Sequence, residues 1–356
     1  MIQFSKGNLL EAQVDALVNT VNTEGVMGKG IALQFKQAFP DMFRAYTDAC
    51  KSKQVRLGQM DVYDRGGLVE GPRWIINFPT KGHWKSRSRL TDIESGLLDL
   101  TATIKRLGVR SIAVPPLGCG YGGLDWAEVR PLIEKEFANL PNIKVQLYAP
   151  NGAPAAVVMP NHTERPKMTT GRAALVVLMS RYLEGLLDPF VSLLEVHKLM
   201  YFMQEAGQDL RLKYTAGSYG PYAGNLRHVL IKLDGHFLRG YGDGADEPGK
   251  PIEILDGAVA EASNFLREHA DVQERMERVV ALIEGFEDPY GMELLSSMHW
   301  VMCQTAEARV SVEAAIHAVH AWNVRKSTTL KSDHLKTVWH RLKQLNWDME
   351  SRSSLH

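Results

Sequence analysis

Apolar residues fall in short blocks through the first 150 positions. ALVNT (16–20), WIINFP (74–79), SIAVPPL (111–117) and KVQLYA (144–149) are brief, rich in Val, Ile and aromatic residues, and bounded by Gly or Pro, which predicts strands. Between them, GKGIALQFKQAFPDMFRAYTDAC (28–50) and SRLTDIESGLLDLTATIKRLG (88–108) repeat apolar positions every three or four residues, which predicts amphipathic helices. Such alternation builds a layered α/β domain whose ligands sit in loops at the ends of the strands.

The pattern breaks between Ala149 and Arg172, where Pro, Gly, Asn and Thr replace periodicity. This break predicts an α/β domain at 1–155, a linker at 156–170 and a mostly α-helical domain at 171–356. Helical spacing marks 172–187, 192–207, 221–238, 258–286 and 292–306, and the tail after Trp322 reads as a last helix with a basic, solvated face.

Composition changes this picture little. The chain has 356 residues, 45% of them hydrophobic and 23% charged, which is a folded rather than a disordered balance. No run reaches the roughly 18 to 20 apolar residues that cross a bilayer, and the first residues lack a secretory pattern, so a cytoplasmic location without membrane contact is expected. Cys50, Cys119 and Cys303 stand far apart with no CxxC pair, which predicts reduced thiols and no metal site. His197, His228 and His299 are taken as structural. The 41 basic and 41 acidic residues cancel overall, yet 1–150 carries 19 Lys+Arg against 15 Asp+Glu and 151–356 carries 22 against 26.

The chemistry concentrates in two glycine-rich loops. In KGNLLEAQVDALVNTVNTEGVMGKGIA (6–32) a strand ending in Asn19 to Asn22 runs into Gly25, Gly28, Lys29 and Gly30 and then a helix from about Ile31. Glycines let backbone N–H groups approach a phosphate, and the helix start favours an anion; a strand-to-helix turn without ligand is the alternative. IAVPPLGCGYGGLDW (112–126) repeats the arrangement, and two such loops on neighbouring strands can clasp a diphosphate from both sides.

These residues resemble the macrodomain family. Gly7-Asn8-Leu9, the strand Val14 to Asn19, Asn22, Gly28-Lys29-Gly30 and Pro116-Leu117-Gly118-Cys119-Gly120 follow its hallmarks in order and spacing. The resemblance implies a three-layer α/β/α fold with a mixed central sheet. It also implies ADP-ribose as ligand, held by Asn8, Leu9, Asn19, Asn22, Gly28, Lys29, Gly30, Leu117, Gly118, Cys119, Gly120, Tyr121 and Gly122. Asn8 stands where the family usually has an Asp that accepts from the adenine amino group, and an amide oxygen can accept the same bond.

NTVNTEGVMGKGIALQFKQAFP with INFPTKGHWKSRSRL is similar, more narrowly, to the DarG-type antitoxins, DNA ADP-ribosyl glycohydrolases that remove ADP-ribose from single-stranded DNA. That resemblance implies Lys81 as catalytic residue and thymidine as the modified nucleoside. Protein-linked ADP-ribose, or binding without hydrolysis, are the alternatives. Related hydrolases that form a lysyl adduct carry an Asp where this chain has Gly122, which leaves the general acid unassigned.

The stretch from Lys81 to Arg89 has four basic residues and no acid, so His83, Trp84, Lys85, Arg87 and Arg89 are candidates for gripping a single strand and stacking a base. A solvated loop is the other reading. In the second domain, HKLMYFMQEAG (197–207) with Tyr219-Gly220-Pro221-Tyr222, read as a turn, resembles the Panacea-type antitoxin domain and implies a cognate DarT-type toxin as partner. No cofactor is called for.

Overall fold

The computed structural model describes residues 1–67, 70–152, 154, 159–185, 190–242 and 244–348. The expected domain limit at 155 and the first linker residues, 156–158, lie outside them. Two compact units emerge: one of Met1–Glu164 with Gly242–Ala245, the other of Arg165–Tyr241 with Asp246–His356.

The first unit contains β1 (Ile2–Ser5), β2 (Ala16–Asn22), α1 (Gly30–Ala38), α2 (Pro40–Lys51), β3 (Asp61–Asp64), β4 (Trp74–Lys81), α3 (Leu90–Leu107), β5 (Ser111–Val114), α4 (Trp126–Ala138) and β6 (Lys144–Tyr148). Its six strands run β1-β6-β5-β2-β4-β3, parallel except for β3, which lies antiparallel on β4. This is the mixed, three-layer sheet that the resemblance implies. β2, β4 and β5 read as continuous apolar runs because both faces are buried, whereas the edge strands β1 and β3 do not. Leu17, Val21 and Ile75 pack with Phe35, Met42 and Tyr46 of α1 and α2. Val18, Ile76 and Phe78 pack with Ile93, Leu97 and Leu100 of α3 and Val129 and Ile133 of α4. A Cβ on Gly96 would lie 2.2 Å from the Phe78 ring, so α3 needs glycine to seat against β4.

Residues 28–50, which read as one amphipathic stretch, form two helices. Phe39 breaks them because Pro40 opens α2 and disfavours a helical conformation in the residue before it. A register shift between Val21 and Asn22 pairs Val21 with Pro79 but Asn22 with Lys81, leaving Thr80 as an extra residue in β4. The strand thus runs on to Lys81, two residues past the expected end.

The second unit holds α5 (Thr170–Glu184), β7 (Val191–Ser192), α6 (Leu193–Glu205), β8 (Tyr214–Gly217), β9 (Gly220–Ala223), α7 (Arg227–Leu233), β10 (Leu238–Arg239), β11 (Pro251–Ile254), α8 (Ala258–Leu266), α9 (Ala270–Ile283), α10 (Pro289–Gln304), α11 (Ala306–Val310), α12 (Val312–Trp322), α13 (Val324–Thr329) and α14 (Ser332–Gln344). It is mostly helical, as expected, but within 221–238 the α-helix covers only Arg227–Leu233, after a 3-10 turn over Gly224–Leu226. Gly220, Pro221 and Tyr222 are strand, not turn; the hairpin turns at Ser218 and Tyr219. Gly220 has φ +98°, and a Cβ there would lie 3.0 Å from Ser297 Oγ, so the hairpin approaches α10 through a glycine. Leu199, Tyr201, Phe202 and Met203 are core, in line with their helical spacing. No helix among the described residues is long and apolar enough to cross a membrane.

Candidate functional site

Most of the expected site residues of the first unit lie at or beyond the carboxyl ends of β2, β4 and β5, and Asn8 and Leu9 follow β1. Asn22 ends β2 and organises the loop after it. Its Oδ1 accepts from the backbone N–H of Glu24 (2.9 Å) and Val26 (3.3 Å), its Nδ2 donates to the Val26 carbonyl (2.6 Å), and its own carbonyl accepts from Tyr46 (2.5 Å). Gly28 and Lys29 lead into α1, and Gly30 takes φ +61° at its first residue. A Cβ on Gly30 would stand 3.1 Å from the Tyr121 ring, so the two glycine loops meet there.

Asn19 is fully buried beneath this edge. Its Nδ2 donates to Asn77 Oδ1 (2.9 Å), and Asn77 in turn donates to Asp61 (2.9 Å). Asn19 Oδ1 has no hydrogen-bond partner among the described residues. Asn8 caps a short 3-10 turn over Leu9–Glu11, its Oδ1 accepting from Leu10 N–H (3.1 Å), and Leu9 is buried.

The second loop is closed by its own backbone. Cys119 N–H donates to Pro116, Gly123 N–H to Gly120 and Leu124 N–H to Gly118, while Ser88 N–H reaches the Gly122 carbonyl at 2.9 Å. Leu117 is buried and Tyr121 exposed. A Cβ on Gly122 would lie 2.4 Å from the Gly118 carbonyl oxygen and from Ser88 Oγ, so this position holds no side chain of any kind. By contrast nothing stands within 4 Å of a Cβ on Gly120. Asp125 caps α4 through Ala127 N–H (2.9 Å), which accounts for its presence. Burial, with Asp125 nearby, pushes the Cys119 thiol up to about 11 and keeps it protonated.

Lys81 joins both loops. It pairs with Asn22 across the sheet, and its Nζ donates to the Tyr121 carbonyl at 3.0 Å. Partial burial lowers its pKa below the ordinary lysine value. The loop beyond is tied back, with Thr23 N–H donating to the Gly82 carbonyl (3.0 Å) and His83 lying 3.4 Å from Glu24.

The Macro domain family matches residues 18–133. A Thermus aquaticus DNA ADP-ribosyl glycohydrolase is 46% identical over 339 residues, covering 95% of this chain and 92% of its own. The chain belongs to the DNA ADP-ribosyl glycohydrolase (DarG) family. The solved macrodomain of Mycobacterium tuberculosis DarG is 52% identical, covering 42% of this chain and 99% of its own, at a TM-score of 0.42. A Thermosipho africanus DNA ADP-ribosyl transferase-DNA ADP-ribosyl glycohydrolase fusion protein is 38% identical over 159 residues, 41% of each chain.

In this DarG-family chain the basic stretch is not uniform. His83 and Trp84 stack at 5.6 Å, and Lys85 Nζ lies 4.9 Å from the Trp84 ring, all three exposed. Arg87 instead donates to the Gly123 carbonyl (3.3 Å) and braces the second loop. Arg89 occupies the N-cap position of α3, without a side-chain cap. Motif reading missed three contributors: the Tyr121 carbonyl, the Ser88 side chain inside the second loop, and the Asn77–Asp61 support under Asn19. A carbonyl acceptor carries no residue signature. Asn77, inside INFPTK, was the one letter available to signal the support.

Proposed function

We propose that this chain hydrolyses the N-glycosidic bond between ADP-ribose and a base of single-stranded DNA, thymidine foremost, and that its second unit binds a cognate DNA ADP-ribosyltransferase toxin. One observation carries the hydrolytic part: the Lys81 amine is held at the junction of the two glycine loops, 3.0 Å from the Tyr121 carbonyl. With the diphosphate seated on the loop N–H groups, the adjoining ribose is brought to that amine.

A lowered pKa raises the neutral fraction of Lys81, and a neutral amine has the lone pair needed to attack the anomeric carbon. The base leaves with the bonding pair and takes a proton from water; a second water releases the ribose and restores the lysine. No protein acid is required at position 122, because a thymine nitrogen flanked by two carbonyls carries negative charge well. The exposed Trp84 and Lys85 support a strand as the substrate's other half, since base stacking and phosphate attraction are the general sources of single-strand affinity. The fused transferase of the Thermosipho relative supports the toxin pairing.

Lys81→Ala tests the assignment. Release of ADP-ribose from a modified oligonucleotide should fall at least about 100-fold, while calorimetry with free ADP-ribose should show near-unchanged affinity. Wild-type turnover in that variant overturns it.

A further inference from the structure

The second unit contains a side-chain cluster that hydrolysis does not use. His299 and Cys303 are four residues apart and share one face of α10, and Glu205 ends α6 beside them. A ring nitrogen of His299, Cys303 Sγ and a Glu205 carboxylate oxygen lie within 4.8 Å of one another. Both ring nitrogens of His299 are 3.7 Å from Cys303 Sγ. The Tyr201 hydroxyl sits 2.7 Å from His299 Nδ1, and the Trp347 ring packs edge-on against the same imidazole at 5.8 Å.

We propose that Glu205, His299 and Cys303 form a binding site for a divalent transition-metal ion, zinc foremost, in the second unit. Imidazole nitrogen, thiolate sulfur and carboxylate oxygen together are the donor set of a borderline-soft dication. Ligands about 2.0 to 2.3 Å from a tetrahedral ion stand roughly 3.5 Å from each other. The His299–Cys303 separation already meets that spacing, and the carboxylate closes the remainder by a rotamer adjustment at the end of α6. The Tyr201 and Trp347 contacts hold the ring in place, as outer-shell partners do for metal-bound histidines.

Charge favours occupancy as well. One carboxylate and one thiolate neutralise a dication, leaving no net charge in a half-buried site. A thiol that becomes a ligand releases its proton to solvent as the sulfur–metal bond forms. Glu205 and Cys303 are only partly buried, which gives the ion an entry path, while His299 closes the inner side. The fourth position falls to water or the Tyr201 hydroxyl. An ion here cross-links α6 to α10.

The test is a cobalt titration of the full, metal-stripped chain, cobalt serving as a spectroscopic stand-in for zinc. A thiolate-to-cobalt charge-transfer band should saturate at one ion per chain and be bleached by zinc. Cys303→Ser should abolish the band, Glu205→Gln should weaken cobalt binding at least tenfold, and Cys50→Ser should leave it intact. Zinc should raise the unfolding midpoint of the wild type and not that of Cys303→Ser. No band in the wild type, a band persisting in Cys303→Ser, or an equal zinc shift in both proteins overturns the proposal.

Discussion

At the residue scale the second loop separates two glycines that a motif treats alike. Gly120→Glu should fold with an unchanged melting temperature and lose ADP-ribose affinity by calorimetry, because its side chain projects into open space where a phosphate must approach. Gly122→Asp, the change that would install the acid found in relatives, should instead destabilise the unit by about 1–3 kcal/mol through overpacking, measured by denaturant unfolding, with no gain in turnover. Lys81 adds a pH signature. Burial favours its neutral form, so the lysine-dependent rate should rise with pH and level off below the 10.5 of an ordinary lysine. An inflection at or above that value in a single-turnover pH profile contradicts a neutral-amine mechanism. The glycines and Asn22 were legible because they recur at fixed intervals after a strand, and Lys81 because the resemblance marks its stretch. The crowding that forbids a side chain at 122 was not, since it depends on Ser88, which lies 34 positions earlier.

Between residue and molecule stand the elements, where the sequence marked the four central strands β2, β4, β5 and β6, left β1 and β3 unmarked, and misled at helix ends. Both faces of β2 and β4 are buried, so their apolar runs stand out. A single proline split 28–50, and a glycine-led strand in the second unit passed for a turn because Gly and Pro serve both. The loop after β4 was legible as basic but not as divided labour. Trp84→Ala combined with Lys85→Ala should weaken capture of ADP-ribosylated single-stranded DNA, flatten its salt dependence by about one unit of slope, and spare free ADP-ribose. Arg87→Ala, by loosening the second loop, should weaken both ligands. Anisotropy across a salt series with each variant separates the two; equal losses for the first pair would return the whole loop to the nucleotide pocket.

Across the whole molecule, charge and compactness divide near the same place. The first 150 residues carry four more basic than acidic residues and the remainder four more acidic than basic. His162 donates its N–H to Gln37 (2.8 Å), so a cut after Glu164 respects the first unit better than one at 155. An acidic helical unit suits a toxin that handles DNA, whose working face is expected to be basic. Association of the full chain with an inactive toxin should therefore slow as salt rises, with little change in dissociation. Surface-immobilised kinetics measure both rates, and a salt-independent on-rate removes charge steering. Rescue of cells by the Lys81→Ala chain would separate capture of the toxin from repair of its damage.

The extra residue in β4 has a consequence for how this chemistry is inherited. Ile75 and Asn77 lie on the α1–α2 side of the sheet, Ile76 and Phe78 on the other. Unbroken alternation would send residue 81 after 75 and 77; Thr80 resets the count, and Lys81 falls in step with Asn22 and, through it, with Ala16 and Val18. What a lineage must keep is therefore a register as much as a letter. A descendant in which Thr80 paired with Asn22 would still spell the motif, still fold its sheet, and present the amine to the side of Ile75 and Asn77.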